Sequence, residues 1–305
     1  MAHYFFSRRA RHKKRFTHNP STMTRYCRVE SFATVNTVAL FTHAHQWVDS
    51  VMAQANGGDI LCFVHGYNTE HPEMIERLEK IKKGLKATGQ FNGTVIGYDW
   101  PSDGRTVLAL ATPDKQKRLS YNADREESKK ASPFLISEGI AMFLDRLGPG
   151  QRLHLLGHSM GARVVTRGLE RSSDVFGIDW RLGEMVFTAA DIDAAEMERG
   201  NSYALTVERR SDRVTNYHSL FDDTLDLGKQ FVNGGRDRLG RAGLPLLRTD
   251  HLHDVNCTDF YSDNYRTFAD IVKSHTWYFD DDAFYADLVK VLTGRAQTTE
   301  RALRS

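Results

Sequence analysis

The sequence has no apolar run of membrane-spanning length, so the chain reads as soluble. Cysteine is scarce. Cys27, Cys62 and Cys257 are odd in number and far apart, which excludes a disulfide framework and any clustered thiolate metal site. Cys62 falls inside an apolar stretch and is expected as a buried free thiol. This usage fits a reducing compartment, and the cytoplasm is the expectation. Net charge is also small, +2 from 41 basic and 39 acidic residues, so no nucleic-acid partner is called for. Internal repeats and low-complexity stretches are absent. What is present is 305 residues with 40% hydrophobic content, enough for a sizeable core in one large α/β domain.

The N-terminus stands apart. Arg8, Arg9, Arg11, Lys13, Lys14 and Arg15 are grouped with no acid among them. Residues 1–25 are therefore expected to be a solvated basic segment, and a candidate contact for an acidic surface. Tyr4, Phe5 and Phe6 precede the charges, but the apolar core of a secretory signal is lacking, so a cleaved export signal is not expected. Residues 26–305 are expected to form the folded domain.

From residue 60 onward, short apolar runs alternate with helical patterns. Ile60–His65, Thr94–Tyr98, Leu153–Leu156, Met185–Ala190, Tyr203–Val207 and Leu252–Cys257 read as strands. Tyr26–Val29 reads as an edge strand. Met74, Ile75, Leu78, Ile81 and Leu85 recur at helical spacing, as do Ile136, Ile140, Phe143, Leu144 and Leu147. A last helix is expected over Asp282–Leu292, and an entry helix around Gln46–Ala55. This alternation predicts an α/β fold: a mostly parallel central sheet with helices on both faces. Two polar stretches, near 103–132 and 211–250, break the alternation and are candidates for cap or loop insertions. Ligands on such sheets bind beyond the carboxyl ends of the strands.

Gly157-His158-Ser159-Met160-Gly161 follows one strand and precedes a helical pattern. A serine on a sharp strand-to-helix turn presents its hydroxyl at the sheet edge, above first-turn backbone N–H groups. Ser159 is the expected nucleophile, and the Met160 N–H a donor to a developing oxyanion. His65-Gly66-Tyr67-Asn68 follows the first strong strand, where a glycine lets the next N–H turn toward the same oxygen. That donor is assigned to Tyr67. His65, Trp100 and His158 are candidates to shape the substrate pocket.

A serine nucleophile needs a base, and a carboxylate to fix the imidazole. The chain order is expected to be Ser, acid, His. His275 lies beyond the last strand and is the expected base. His154 lies within a strand, and His251 and His253 lie at the wrong end of one. Asp212, after the Tyr203–Val207 run, is the expected acid; Asp191, or Asp193, after Met185–Ala190, is the alternative.

These residues, with Asp99-Trp100-Pro101-Ser102, Tyr121, Asp124-Arg125, Ala162-Arg163, Ala190-Asp191-Ile192-Asp193, Ser211-Asp212, Arg238-Leu239-Gly240, Arg241-Ala242-Gly243, His275 and Tyr278, resemble a bacterial α/β-hydrolase family of unknown function. The resemblance spans roughly residues 60–293. It implies the α/β-hydrolase fold and a triad of Ser159, Asp212 and His275, but no particular substrate. The expected activity is hydrolysis of a small-molecule ester or acyl substrate through an acyl-enzyme, with no cofactor and no metal. Thioester or amide cleavage, and a hydrolase-like binding module without turnover, are the rival readings.

Overall fold

The computed structural model describes residues 2–102, 115–172, 180–231, 233–266, 271–296 and 298–304. Its centre is a ten-stranded sheet of order β10-β9-β8-β7-β6-β4-β5-β1-β2-β3. The strands are β1 (His3–His12), β2 (Arg15–Val29), β3 (Ala39–Leu40), β4 (Asp59–Val64) and β5 (Gly93–Asp99), followed by β6 (Leu153–His158), β7 (Leu182–Thr188), β8 (Ser211–His218), β9 (Leu252–Asn256) and β10 (Glu300–Ala302). All neighbours from β10 to β1 pair in parallel. Only β1–β2 and β2–β3 are antiparallel.

The helices are α1 (Ala44–Ala55), α2 (His71–Ala87), α3 (Lys115–Leu135), α4 (Ala141–Leu144), α5 (Met160–Arg171) and α6 (Ser202–Arg210). After them come α7 (Asp223–Phe231), α8 (Leu239–Ala242), α9 (Thr258–Asn264), α10 (Ile271–Thr276) and α11 (Asp282–Leu292). They cover both faces of the sheet. Ile60, Cys62 and Val64 of β4 pack with Trp47 and Val51 of α1 and Val164 and Leu169 of α5. The alternate residues Leu61 and Phe63 pack with Leu78 and Ile81 of α2 and Phe284 and Leu288 of α11. A strand buried on both faces must be apolar at every position, which is why these strands read as continuous apolar runs. Cys62 is a buried free thiol, and burial pushes it up, away from the thiolate. Among the described residues, no helix is long and apolar enough to cross a membrane.

Three expectations are corrected. Tyr203–Val207 is not a strand but the middle of α6. Its Tyr203, Ala204, Thr206 and Val207 are buried at helical spacing. The stretch 211–250 is not a loop insertion throughout, since it contains β8, α7 and α8. Of the stretch 103–132, residues 103–114 lie outside the described residues, and helix α3 begins at Lys115.

The third correction concerns the basic N-terminus, which is built into the sheet. Strand β1 pairs with β5, and Phe5 and Phe6 have no exposure. Arg9 is 1% exposed because it meets Asp99, which is 0% exposed. Arg9 Nε donates to Asp99 Oδ1 at 2.6 Å. Its other nitrogens donate to the carbonyls of Thr69 at 2.6 Å and Ser102 at 3.1 Å. Asp99 Oδ2 also accepts from Ser7 Oγ at 2.9 Å and His71 Nδ1 at 2.8 Å. Burial alone would raise the Asp99 carboxyl, but the charge of Arg9 and the interaction with His71 outweigh it and hold it well below the usual carboxylate range.

Arg9→Met leaves this carboxylate buried without its cation, and a loss of about 3–5 kcal/mol in urea unfolding at neutral pH is expected. The wild-type contribution is present above the usual aspartate range and fades as pH falls through the lower folded value. Urea midpoints measured from pH 7 downward should therefore show the gap between variant and wild type narrowing in acid.

Candidate active site

Ser159 lies between β6 and α5 with φ 54° and ψ −125°, a conformation that costs an L-residue roughly 1–3 kcal/mol. The surroundings enforce it. A Cβ on Gly161 would stand 2.1 Å from the Val64 carbonyl oxygen, so only glycine lets α5 begin this close to β4. The Ser159 carbonyl accepts from the N–H of Asp191 at 3.0 Å, and its N–H donates to the Thr188 carbonyl at 3.0 Å. Two neighbours, Asn68 (φ 54°) and Ala189 (φ 48°), share the left-handed backbone, so strain is concentrated around this turn. Met160 is the first residue of α5, and its N–H has no carbonyl acceptor within the helix.

The loop after β4 closes over the turn. A Cβ on Gly66 would stand 2.8 Å from Ser159 Cβ, so the backbone that carries the Tyr67 N–H lies directly against Ser159. This loop is held from behind. Trp100 Nε1 donates to the His65 carbonyl at 2.8 Å, and the two rings stack 7° from parallel. His65 Nε2 lies 3.5 Å from Asp99 Oδ1. Burial lowers the His65 pKa. His65 and Trp100 have no exposure, so the structure makes them supports of the loop rather than lining of a pocket.

His275 is in α10 and 7% exposed, comparable with Ser159 at 6%. Its backbone is fixed to the Ser159 turn, because His158 Nε2 donates to the His275 carbonyl at 2.9 Å. Burial, then the neighbouring His275, pushes the His158 pKa well down, which keeps it a neutral donor. His158 is 2% exposed and thus also a support. The ring of His275 is oriented by a residue the sequence reading did not select: its Nδ1 donates to Asp222 Oδ2 at 2.7 Å. Asp222 is fully buried just beyond β8. It caps α7, accepting from the Leu225 N–H at 2.9 Å through Oδ1. The start of α7 is tied to α10 by Asp223 N–H to Ser274 Oγ (3.1 Å) and Thr224 Oγ1 to the Ile271 carbonyl (2.9 Å).

Both expected acids are corrected. Asp212 lies at the amino end of β8, exposed and paired with Arg181 at 3.2 Å, whereas Ser159 lies at the carboxyl end of β6. Asp191 is beside Ser159, but both its oxygens are engaged elsewhere. Oδ1 accepts from Arg238 Nε at 2.7 Å, and Oδ2 from Tyr121 Oη at 2.5 Å. Burial would raise the Asp191 carboxyl, but Arg238 outweighs it and the pKa falls. Among the described residues, no group of three or more His, Cys, Asp or Glu is placed to hold a metal ion.

A parallel sheet flanked on both faces, with a strained serine turn at its carboxyl edge and a histidine delivered from beyond β9, defines the α/β-hydrolase class. The chain belongs to the family described as "Alpha/beta hydrolase of unknown function (DUF900)", whose model matches residues 41–248. No curated protein is close enough in sequence to match the chain. Solved structures similar to it include phospholipase PlaB from Legionella pneumophila in complex with thio-NAD, at 15% identity and a TM-score of 0.34. That match covers 79% of this chain, which spans 63% of the phospholipase. Another is a fungal esterase from Rhizomucor miehei, at 10% identity and a TM-score of 0.37, covering 90% of this chain and 82% of the esterase. A third is an esterase/lipase from an uncultured bacterium, at 12% identity and a TM-score of 0.34, covering 78% and 76%.

The different surroundings of the two rejected acids give opposite expectations for stability. Asp191→Asn removes the charge that balances buried Arg238 and should cost about 2–3 kcal/mol. Asp212→Asn breaks only an exposed pair and should cost less than about 1 kcal/mol. Equal shifts in the urea midpoint would contradict this assignment.

Proposed function

We infer that the chain is a serine hydrolase that cleaves carboxylic esters through an acyl-enzyme on Ser159. The observation that carries this reading is the Asp222–His275 pair, held by α7 and α10 and bound through His158 to the strained turn bearing the nucleophile. His275, with Nδ1–H given to Asp222, has Nε2 available as the base. Ser159 Oγ attacks the ester carbonyl carbon, and its proton passes to His275 Nε2. The oxyanion is stabilised by the N–H groups of Met160 and Tyr67. Collapse expels the alcohol, which takes the proton from His275. Water then repeats the sequence on the acyl-enzyme and releases the acid. Asp222 fixes the imidazole tautomer and stabilises the imidazolium throughout.

A fluorophosphonate probe is expected to label the wild-type protein and not Ser159→Ala. With short p-nitrophenyl esters, Asp222→Asn should lower kcat about 10³- to 10⁴-fold, as expected for loss of the orienting carboxylate. Asp212→Asn should stay within about twofold of wild type. Unchanged labelling of Ser159→Ala, or a larger kcat loss in Asp212→Asn than in Asp222→Asn, would reject the assignment.

A further inference from the structure

Arg163 follows Ser159 by one helical turn and is 3% exposed. Among the described residues its guanidinium donates no hydrogen bond and forms no ion pair, and its Nε is fully enclosed without an acceptor. A guanidinium carries five N–H donors and a permanent charge, so burying one without acceptors is costly. Its surroundings do not offset the charge. Burial lowers its pKa, Arg125 opposes its charge further, and the acids within electrostatic reach are Glu196 and Asp191. Glu196 already meets Arg167 at 3.4 Å, and Asp191 is held by Arg238 at 2.7 Å.

Arg238, whose charge Asp191 balances, adds an unmet donor. It is 2% exposed, and its Nη2 is a second enclosed guanidinium nitrogen without an acceptor among the described residues. Two buried guanidinium groups thus share one carboxylate, Asp191, paired with Arg238 and within electrostatic reach of Arg163, and its backbone N–H is bonded to the carbonyl of Ser159. A surplus positive charge with unmet donors, one turn from the nucleophile, is a binding element for an anion.

We propose that Arg163, with Arg238 beside it, forms an anion subsite next to Ser159, and that the ester substrate carries a carboxylate or phosphate group that docks there. This substrate class rests on Ser159 being the nucleophile; the existence of the subsite does not. The guanidinium holds the anionic group in a two-pronged contact and sets the ester carbonyl over the serine.

The first test measures binding without turnover. In full-length Ser159→Ala protein, succinate or inorganic phosphate at millimolar concentration should raise the Tm by several degrees. The shift should vanish in Ser159→Ala/Arg163→Met and persist in part in Ser159→Ala/Arg163→Lys. A shift with succinate alone assigns a carboxylate, and with phosphate alone a phosphoryl group. No shift with either anion, or an equal shift in the Arg163→Met protein, overturns the subsite whether or not the enzyme hydrolyses esters.

The second test measures discrimination. The wild-type ratio of kcat/KM for p-nitrophenyl hemisuccinate over p-nitrophenyl butyrate should fall at least about tenfold in Arg163→Met. A wild-type preference for the neutral ester, or an unchanged ratio, overturns the proposed substrate class. Anion-dependent Tm shifts with no fluorophosphonate labelling of Ser159 would instead retain the subsite and reject the hydrolase reading.

Discussion

A carboxylate sealed from water, Asp99, sits where three separate stretches of chain meet. It must be ionised to accept the bonds it receives, and an ionised group can be buried only with a cation and donors around it. Arg9 supplies the cation from β1, His71 a donor from the start of α2, and Ser7 another from β1. Arg9 also holds the carbonyl of Thr69, in the loop between β4 and α2. The segment carrying Gly66 and Tyr67 is therefore held at its Thr69 end by the Arg9–Asp99 pair and at its His65 end by Trp100. The position of Tyr67, the proposed oxyanion donor, thus leans on an ion pair behind the site.

The site joins two kinds of restraint. Around Ser159 the restraint is steric: glycine contacts, a strained φ and backbone hydrogen bonds leave the turn no alternative position. Around His275 it is polar: His158 holds the backbone and Asp222 the ring. The supporting histidines are buried, and burial keeps His65 and His158 from gaining charge. A neutral His158 can donate to a carbonyl without adding positive charge beside the proposed base. Asp191 binds Tyr121 and Arg238, and Arg163, within its electrostatic reach, is without a partner of its own among the described residues.

Some of this was legible in the order of residues and some was not. The serine turn could be read because its chemistry is local: five consecutive residues between a strand and a helix. The proposed acid, Asp222, could not be read the same way. Assigning a strand to Tyr203–Val207 put the expected carboxylate one element too early, at Asp212. The true strand, Val214–His218 within β8, ends just before Asp222. The alternation Val214, Asn216, His218 against Thr215 and Tyr217 resembles the irregular polar stretch around it, and that hid the strand. Arg9 was misread for a related reason. A cluster of cations looks solvated in sequence, and the carboxylate that draws one of them inward is 90 residues away.

By itself, the sequence determined what depends on neighbours along the chain. This includes apolar runs that must become buried strands, the glycines that permit a tight turn, and the serine at its apex. Tertiary structure alone decided which carboxylate faces His275, which arginines of a basic cluster are buried, and that Arg163 is left without a partner among the described residues. Those outcomes depend on charges meeting across the sheet in a medium that penalises any left unmatched, and linear spacing carries no record of such meetings.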